Sequence, residues 1–309
     1  MLYQYEFQAM GSKVVAMMDC SPKSAHHLWD IEPLFEQWEQ IFSRFRANSE
    51  LNKVNRADGI PVRVSPEFIE VVKAAQSAEL ASGGIVNATM LGQILQAGYA
   101  ESIEMIRNKD IRISGSPNTS VRTTFEIAID EDNSQVTLPY GLHLDLGGIV
   151  KGWAAHKAAI YLGQFAPALV SAGGDMYVTG NQQDGSPWSI TIDRPFFDGE
   201  TIATIAVSQG AIATSGSYRR RWRRNGLDQH HLIDPRTGIP SQSDLVSATI
   251  VSDDPIEAEY GAKTTLILGS QDGVAWATKR DLPAFLVRAD GSVVFNEQLE
   301  SIFWSKTYE

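Results

Sequence analysis

The chain has 309 residues, of which 43% are hydrophobic and 20% charged, and its formal net charge at pH 7 is −11. This composition is typical of a globular protein and argues against disorder. The acidic balance argues against a general nucleic-acid binder, because phosphate contacts require clustered positive charge. A single cysteine, Cys20, excludes an internal disulfide and any zinc site built from several thiolates.

The sequence shows no signal for membrane insertion or export. No apolar run approaches the roughly 18–20 residues needed to span a bilayer. The first residues lack a basic stretch followed by an apolar one, and Cys20 follows Met17, Met18 and Asp19 rather than the small residues of a lipoprotein leader. We therefore expect a cytoplasmic protein without a membrane span.

In the first third of the chain, residues 3–18 are predicted to form a strand that is interrupted near Gly11. Apolar residues at helical spacing predict a helix over 27–45. A second helix is expected to start at Ser65, a good N-cap that is followed by a proline, and to continue through Leu80.

The rest of the chain is predicted to contain more strands than helices, beginning with strands and turns over 111–144. Helices are expected after the Gly-rich turn of 145–152 and from Asp254 to Gly269. Residues 225–226, Asn-Gly, predict a hairpin turn. Since strands and helices do not alternate regularly, we expect an α+β fold rather than a doubly wound sheet.

The segment 145–152, Asp-Leu-Gly-Gly-Ile-Val-Lys-Gly, is the first candidate for chemistry. Its glycines let the backbone approach a ligand, and the helix that follows offers free N–H groups to an anion. Lys151 adds a point charge suited to phosphate. The segment matches neither of the two common nucleotide-binding motifs. The alternative interpretation is a strand–turn–helix connection with a surface lysine.

The segment 229–238 is the second candidate, because His231 precedes Asp234 by three residues and a Pro/Gly turn follows. Such a pair can serve acid/base chemistry at a loop. The alternative is an ordinary turn, for which these residues are equally typical. On a strand His230 and His231 would point to opposite faces, so at most one is expected to face a site.

Five arginines lie within residues 219–224 and suggest a phosphate or nucleic-acid patch. On a strand, Arg220 and Arg224 share a face with Trp222, and the other three arginines lie opposite. Given the net charge of −11, we interpret the segment as a solvated hairpin strand, from which one arginine could reach a ligand phosphate.

Glu259 and Lys263 are the last candidates and lie four residues apart on the helix that begins near Asp254. The simplest interpretation is an ion pair on the helix surface, worth about 0.2–0.5 kcal/mol. Cys20 lacks any partner motif and is expected to be a buried apolar residue.

Taken in order, these segments resemble the ApbE family, the flavin transferases that attach FMN to proteins. The resemblance runs from about Phe7 to about Val287. The matching stretches are 9–12, 42–46, 49–55, 82–89, 145–152, 172–175, 213–216, 231–238 and 258–269. The resemblance implies a single large ApbE-like, T-fold-like domain over residues 1–309, with mixed or antiparallel sheets and flanking helices.

The resemblance also implies an activity. Family members cleave the pyrophosphate of FAD, transfer FMN to a Thr or Ser hydroxyl of an acceptor flavoprotein that carries a Thr-containing flavinylation motif, and release AMP. Magnesium normally bridges the phosphates. This agrees with phosphoryl-transfer chemistry, in which positioning and charge neutralisation do most of the work.

The family's site residues can be carried over by position. His231 matches the candidate base for the acceptor hydroxyl, and Lys151 is expected to act on the phosphates. The expected FAD contacts are Met10, Phe45, Gly83, Gly84, Ile85, Asp145, Gly148, Val150, Lys151, Ile233 and Asp234.

The chain departs from the family at the magnesium site. The two side-chain ligands, an Asp and a Thr or Ser four residues later, are Glu259 and Lys263 here. Glutamate can still bind magnesium, whereas a protonated lysine cannot ligate the cation and repels it. Other departures are Phe45 for Tyr, Gly83 and Asn87 for acidic residues of the flavin loop, and Ser217 for an acidic residue.

Lys263 leaves two interpretations open. Its ammonium stands where magnesium would, or it only pairs with Glu259 and the protein holds flavin without transferring it. The sequence therefore carries three hypotheses: an FMN transferase, a flavin-binding protein with lost or weak transferase activity, and a metal-dependent FAD pyrophosphatase.

Overall fold

The computed structural model describes residues 1–107, 109–113 and 121–306, with only the backbone for Phe303–Lys306. Part of the strand-and-turn region predicted over 111–144 therefore lies outside the described residues. In the described part, no helix combines the length and the apolar character that crossing a bilayer requires.

The helices within the described ranges are α1 (Ile31–Phe42), α2 (Glu50–Asn55), α3 (Pro66–Ala81), α4 (Leu91–Gln96), α5 (Ile103–Ile106), α6 (Val150–Gly163), α7 (Pro255–Leu268), α8 (Ser270–Thr278) and α9 (Glu297–Glu300), with 3-10 turns at Ala25–Asp30 and Thr124–Glu126. The strands are β1 (Leu2–Ala9), β2 (Ser12–Asp19), β3 (Val62–Arg63), β4 (Asp110–Ile111), β5 (Ala128–Asp130), β6 (Gln135–Thr137), β7 (Ala168–Ala172), β8 (Asp175–Thr179), β9 (Trp188–Asp193), β10 (Thr201–Val207), β11 (Gln209–Gly216), β12 (Arg221–Arg224), β13 (Leu227–His230), β14 (Ile233–Asp234), β15 (Ile239–Pro240), β16 (Leu245–Ser252), β17 (Ala284–Arg288), β18 (Val293–Phe295) and β19 (Phe303–Lys306).

The chain packs as two units, and the first comprises Met1–Phe35, Lys151–Tyr218 and Ser243–Glu309. Its main sheet is antiparallel and has the strand order β1-β2-β7-β8-β11-β16-β17-β18. Helix α7 packs on β11 and β16. A smaller sheet, β19-β10-β9, belongs to the same unit. Buried apolar side chains such as Trp188, Ile205 and Phe285 form a core of this first unit.

The second unit comprises Glu36–Val150 and Arg219–Gln242 and contains three small sheets, β13-β12-β4, β14-β15 and β3-β6-β5. One of its cores centres on Trp222, whose Nε1 donates a hydrogen bond to the Ala97 carbonyl at 2.7 Å. The ring of Tyr99 stacks on Trp222 with centroids 5.0 Å apart. Since helices accompany largely antiparallel sheets, the predicted α+β class is confirmed.

Local sequence signals predicted the start of α3, the start of α7 and the β12–β13 turn correctly. The Ser65 side chain accepts a hydrogen bond from the Phe68 amide, and Asp254 caps α7 in the same way. At the predicted 225–226 turn, Asn225 and Gly226 have φ angles of 49° and 81°, as a two-residue hairpin between right-twisted strands requires.

Two predictions needed correction. Residues 3–18 form a hairpin rather than one interrupted strand, because Met10 and Gly11 both have positive φ angles, 52° and 61°, and reverse the chain. The helix predicted over 27–45 is a 3-10 turn followed by α1, which ends at Phe42. The single domain expected over residues 1–309 stays a prediction.

Candidate functional site

Lys151 lies in the first turn of α6 and forms an ion pair with Asp175 at the start of β8. The distance from Lys151 Nζ to Asp175 Oδ2 is 2.8 Å, and the side chains are only 14% and 5% exposed. The interpretation of Lys151 as a surface lysine is therefore wrong. Asp175 follows the Gly173-Gly174 turn, both of whose residues have positive φ angles, and this turn brings the carboxylate to the lysine.

Glu259 is fully buried, although the sequence suggested an exposed ion pair. Its Oε2 accepts a hydrogen bond from the Gly152 amide at 3.0 Å, and its Oε1 lies 3.2 Å from Lys263 Nζ. A Cβ at position 152 would lie only 2.6 Å from Oε2. Gly152 is therefore needed because a buried carboxylate occupies the space that a side chain would fill.

Lys151, Asp175, Glu259 and Lys263 together form what we call the charge cluster, all within the first unit. Burial raises the pKa of Glu259, and the Lys263 ammonium is the strongest influence lowering it. Asp175 also raises this pKa and Lys151 lowers it, so the four groups interact. Each carboxylate of the cluster has a lysine partner, and the Lys263 contact offsets part of the cost of burying Glu259.

The charge cluster does not have the ligands of a magnesium site. Mg²⁺ demands near-octahedral oxygen ligands at about 2.0–2.1 Å. Glu259 offers one carboxylate, whose oxygens already contact Gly152 and Lys263, and the second expected ligand is an ammonium. In the described ranges, no group of three or more His, Cys, Asp or Glu side chains is arranged to hold a metal ion. The residues present do not fit the ion, and we assign no metal to Glu259.

Arg44 organises the predicted contacts Phe45 and Asp145 in the second unit. Its Nε lies 3.0 Å from Asp145 Oδ2, and its guanidinium carbon lies 4.1 Å from the centre of the Phe45 ring and 4.5 Å from that of Tyr99. The Arg44 side chain is 8% exposed, and its Nη2 has no hydrogen-bond partner among the described residues. Residue Phe45 is 48% exposed, and an exposed aromatic side chain can stack against a planar ligand.

Asp145 is also held through its other oxygen, which accepts a hydrogen bond from the Gly147 amide at 2.8 Å. Its own amide donates to the Ala88 carbonyl. From the sequence alone, Arg44 was only part of the stretch 42–46 that matches the family, and its contacts with Asp145 and Phe45 were not predicted. The available signal was a cation next to the aromatic residue expected at the flavin.

Gly83 and Gly84 end helix α3, and their φ angles are 66° and 83°. The Gly84 amide donates to the Glu79 carbonyl, as in many helix C-terminal motifs. A Cβ at either glycine would meet no protein atom within 4 Å. These glycines are thus required by backbone conformation, and the space beside them is open to a ligand.

The loop of residues 83–89 is anchored by a buried carboxylate, Glu79, to which the sequence had assigned no role. Glu79 is 2% exposed and accepts hydrogen bonds from Asn87 Nδ2 and the Thr124 amide. Asn87, which replaces the family's acidic residue, also donates to the Arg122 carbonyl at 2.9 Å. Desolvation raises the pKa of Glu79. Predicted contact Ile85 lies half-buried in this loop.

The two adjacent histidines have different environments. His230 Nδ1 accepts a hydrogen bond from the Leu232 amide at 3.3 Å, so its Nε2 carries the proton donated to the Ser241 carbonyl at 2.8 Å. Burial lowers the pKa of His230. His230 is thus a neutral structural residue, which leaves His231, half-buried between β13 and β14, as the candidate base.

Asp234 is buried and forms a two-point ion pair with Arg236, with Nη2 and Oδ2 2.7 Å apart. Its carbonyl also accepts from the Gly238 amide. These contacts fit the ordinary-turn interpretation, and the acid/base pair of His231 with Asp234 stays a prediction. Ile233, also buried, pairs with Pro240 across β14 and β15.

The arginine-rich segment forms a hairpin strand only over Arg221–Arg224, whereas Arg219 and Arg220 lie in the bend before it. Trp222 is buried, whereas Arg221 and Arg223 are exposed and pair with Asp228 at 3.3 and 3.8 Å. Of the remaining predicted contacts, Met10 forms the tip of the β1–β2 turn, Gly148 precedes α6, and Val150 is its buried first residue.

The fold matches solved structures over nearly the whole chain. The ApbE protein from Thermotoga maritima superposes with a TM-score of 0.86 at 24% identity, covering 99% of this chain and 100% of that one. Flavin transferase ApbE from Vibrio cholerae superposes with a TM-score of 0.81 at 24% identity, covering 98% and 99%. The chain therefore shares the α+β fold of these ApbE structures.

Sequence comparison is more specific than fold. A relative from Klebsiella pneumoniae (strain 342), FAD:protein FMN transferase, is 26% identical over 303 residues, which cover 96% of this chain and 92% of the relative. The sequence model of the ApbE family matches residues 10–286. The chain belongs to the ApbE family.

Proposed function

We propose that this chain is an FAD:protein FMN transferase. The observation that carries the proposal is the match of its sequence to the ApbE family over residues 10–286. Relatives from Klebsiella pneumoniae and Vibrio cholerae that bear this activity's name align with 96% and 84% of the chain. In this reaction FMN passes from FAD to an acceptor flavoprotein and AMP leaves.

The cofactor contacts proposed from the sequence have chemically suitable surroundings. The exposed ring of Phe45, backed by Arg44, suits stacking against a flavin. Gly83 and Gly84 leave open space beside a fixed backbone turn. Met10, Ile85, Asp145, Gly148, Val150, Ile233 and Asp234 complete the proposed contact set.

For the chemical step we propose His231 as the base and Lys151 as the phosphate-facing cation. His231 takes the proton from the acceptor Thr hydroxyl, the hydroxyl oxygen bonds to the phosphorus on the FMN side, and the anhydride P–O bond breaks to release AMP. The Lys151 ammonium, fixed by Asp175, neutralises phosphate charge. Since Glu259 and Lys263 do not fit magnesium, no step is assigned to a metal.

A transfer assay tests this proposal. The chain is incubated with FAD and an acceptor protein that carries a Thr-containing flavinylation motif, and covalent FMN is read by in-gel fluorescence and intact mass. We expect one FMN on the acceptor, equimolar AMP, and a loss of rate of at least about 100-fold in His231→Ala. His143→Ala, which removes an exposed histidine, is the matched control.

The departures at Glu259 and Lys263 favour one alternative, a flavin-binding protein without transfer. Bound FAD with an unlabelled acceptor would overturn the transferase proposal and support that alternative. Release of FMN and AMP without any acceptor would instead indicate an FAD pyrophosphatase.

A further inference from the structure

The two lysine side chains of the charge cluster are more accessible than its two carboxylates. The ammonium-bearing side chains of Lys151 and Lys263 are 14% and 13% exposed, whereas those of Asp175 and Glu259 are 5% and 0% exposed. The carboxylates are thus the less accessible partners in both pairs, and the accessible part of the cluster belongs mainly to its lysine side chains.

The carboxylates hold the ammonium groups in place, and each ammonium group keeps N–H donors that its carboxylate partner does not use. A lysine ammonium has three N–H donors. Asp175 accepts one from Lys151, and Glu259 accepts one from Lys263 through Oε1, with the Glu259 carbonyl oxygen a further 3.5 Å contact. Each ammonium can thus bind a phosphate oxygen while its carboxylate partner keeps it fixed.

The same contacts oppose a divalent cation. To bind Glu259, the cation would displace the Gly152 amide from Oε2 or Lys263 from Oε1. It would also lie beside two ammonium groups in a largely buried region, where like charges repel strongly. The cluster is therefore built for an anion, and a diphosphate is the anion of the proposed substrate.

We infer that Lys263, together with Lys151, binds the diphosphate of FAD directly and takes the place of a divalent cation, so that FAD binding by this chain requires no Mg²⁺. This inference rests on the proposed function, because it takes FAD as the ligand. It assigns Lys263 a ligand-binding role and Glu259 the role of positioning its ammonium.

The first test uses the unaltered protein. FAD affinity is measured by calorimetry with millimolar MgCl₂ and with excess EDTA, and Mn²⁺ binding is measured by electron paramagnetic resonance. We expect dissociation constants that agree within about twofold, and no stoichiometric Mn²⁺ binding. A loss of affinity of about tenfold or more in EDTA, or one tightly bound Mn²⁺ per chain, would overturn the inference.

The second test uses variants. Lys263→Thr is expected to weaken FAD binding in EDTA by about tenfold or more, because one cation facing the diphosphate is lost. The matched control is Lys73→Thr, which removes the same charge from an exposed ion pair with Glu131 and should leave FAD affinity unchanged. Equal affinities for Lys263→Thr and the control would contradict the inference.

The double variant Glu259→Asp with Lys263→Thr replaces the ammonium with oxygen ligands. We expect it to bind Mn²⁺ and to regain FAD affinity when Mg²⁺ is added. If Mg²⁺ restores nothing, the ammonium does not occupy a cation position and the inference fails. Thermal melts confirm that each variant is folded, and the unaltered protein remains decisive if one is not.

The outcomes separate this inference from the proposed function. Metal-independent FAD binding without FMN transfer leaves the inference standing and removes the transferase proposal. If FMN transfer occurs but FAD binding requires Mg²⁺, the transferase proposal stands and the inference fails.

Discussion

At the scale of single residues, the candidate site depends on close contacts that fix charged groups. Gly152 and Glu259 show this most directly, because the carboxylate reaches the helix backbone only where no side chain intervenes. Arg44 is a second case, since one guanidinium contacts a carboxylate and two aromatic rings. Each case leads to a measurable prediction.

Gly152→Ala should destabilise the fold even though alanine is the better helix former. The new Cβ would lie 2.6 Å from Glu259 Oε2, and displacing this buried carboxylate costs about 1–3 kcal/mol, against a gain of about 1 kcal/mol in helix propensity. Urea unfolding measures the balance. Gly92→Ala in α4, where a Cβ meets nothing within 4 Å, is the control and should be neutral or stabilising. Matching stabilities would show that the carboxylate moves aside freely.

Arg44→Lys should weaken FAD binding clearly while lowering the melting temperature only slightly. Lysine keeps the positive charge but lacks the planar guanidinium that lies on Phe45 and Tyr99 while contacting Asp145. We expect about a tenfold rise in the FAD dissociation constant by fluorescence titration. Arg46→Lys, two residues away and paired with Glu36, is the control. If both substitutions change FAD affinity equally, Arg44 has no special positioning role.

At the scale of elements, caps and turns decide where site residues fall. The hairpin of β12 and β13 places Trp222 in the core of the second unit and leaves His230 to anchor the chain before β14. The short strands β14 and β15 then close around the Asp234 turn. His231 lies between two such anchored elements, which gives a candidate base a defined backbone.

This arrangement predicts a pH dependence of stability. Burial lowers the folded-state pKa of His230 below its ordinary value of 6.5, so the unfolded state binds the proton more readily and the stabilisation present above that value is lost as pH falls. Protonation would also place a hydrogen on Nδ1, which now accepts from Leu232. The free energy of unfolding should drop between about pH 7 and pH 5, by up to about 1.4 kcal/mol per unit of pKa shift.

The check is urea unfolding at both pH values for the native chain and for His230→Gln. The variant should lose a measurable part of the drop, whereas His143→Gln, at an exposed position, should retain it. An undiminished drop in His230→Gln would assign the pH dependence to other groups.

At the scale of the whole molecule, the chain is acidic but contains two lysines, Lys151 and Lys263, at the position proposed for the diphosphate of FAD. The net charge is −11, yet in the charge cluster two lysine side chains are partly accessible while their carboxylate partners are buried. Family membership and the α+β class hold across nearly the entire chain.

The family, the class of fold and the boundaries of α3, α6 and α7 could be predicted from the sequence alone. Capping by Ser65 and Asp254 and the turn at 225–226 depend on neighbouring residues, so local patterns carry enough information. The ordered family stretches likewise need no structure to be recognised. The β1–β2 hairpin was not predicted because Met10 adopts a positive φ angle, which is uncommon for a residue other than glycine.

Only the tertiary structure decided what the charged residues contact. Glu259 caps Gly152 across 107 residues of sequence, and Lys151 meets Asp175 across 24. Such pairs, and the burial that turns a supposed surface ion pair into part of the charge cluster, arise when distant segments pack together. Residue spacing along one helix shows that Glu259 and Lys263 are neighbours, but the dielectric surroundings that set their chemistry come from the rest of the fold.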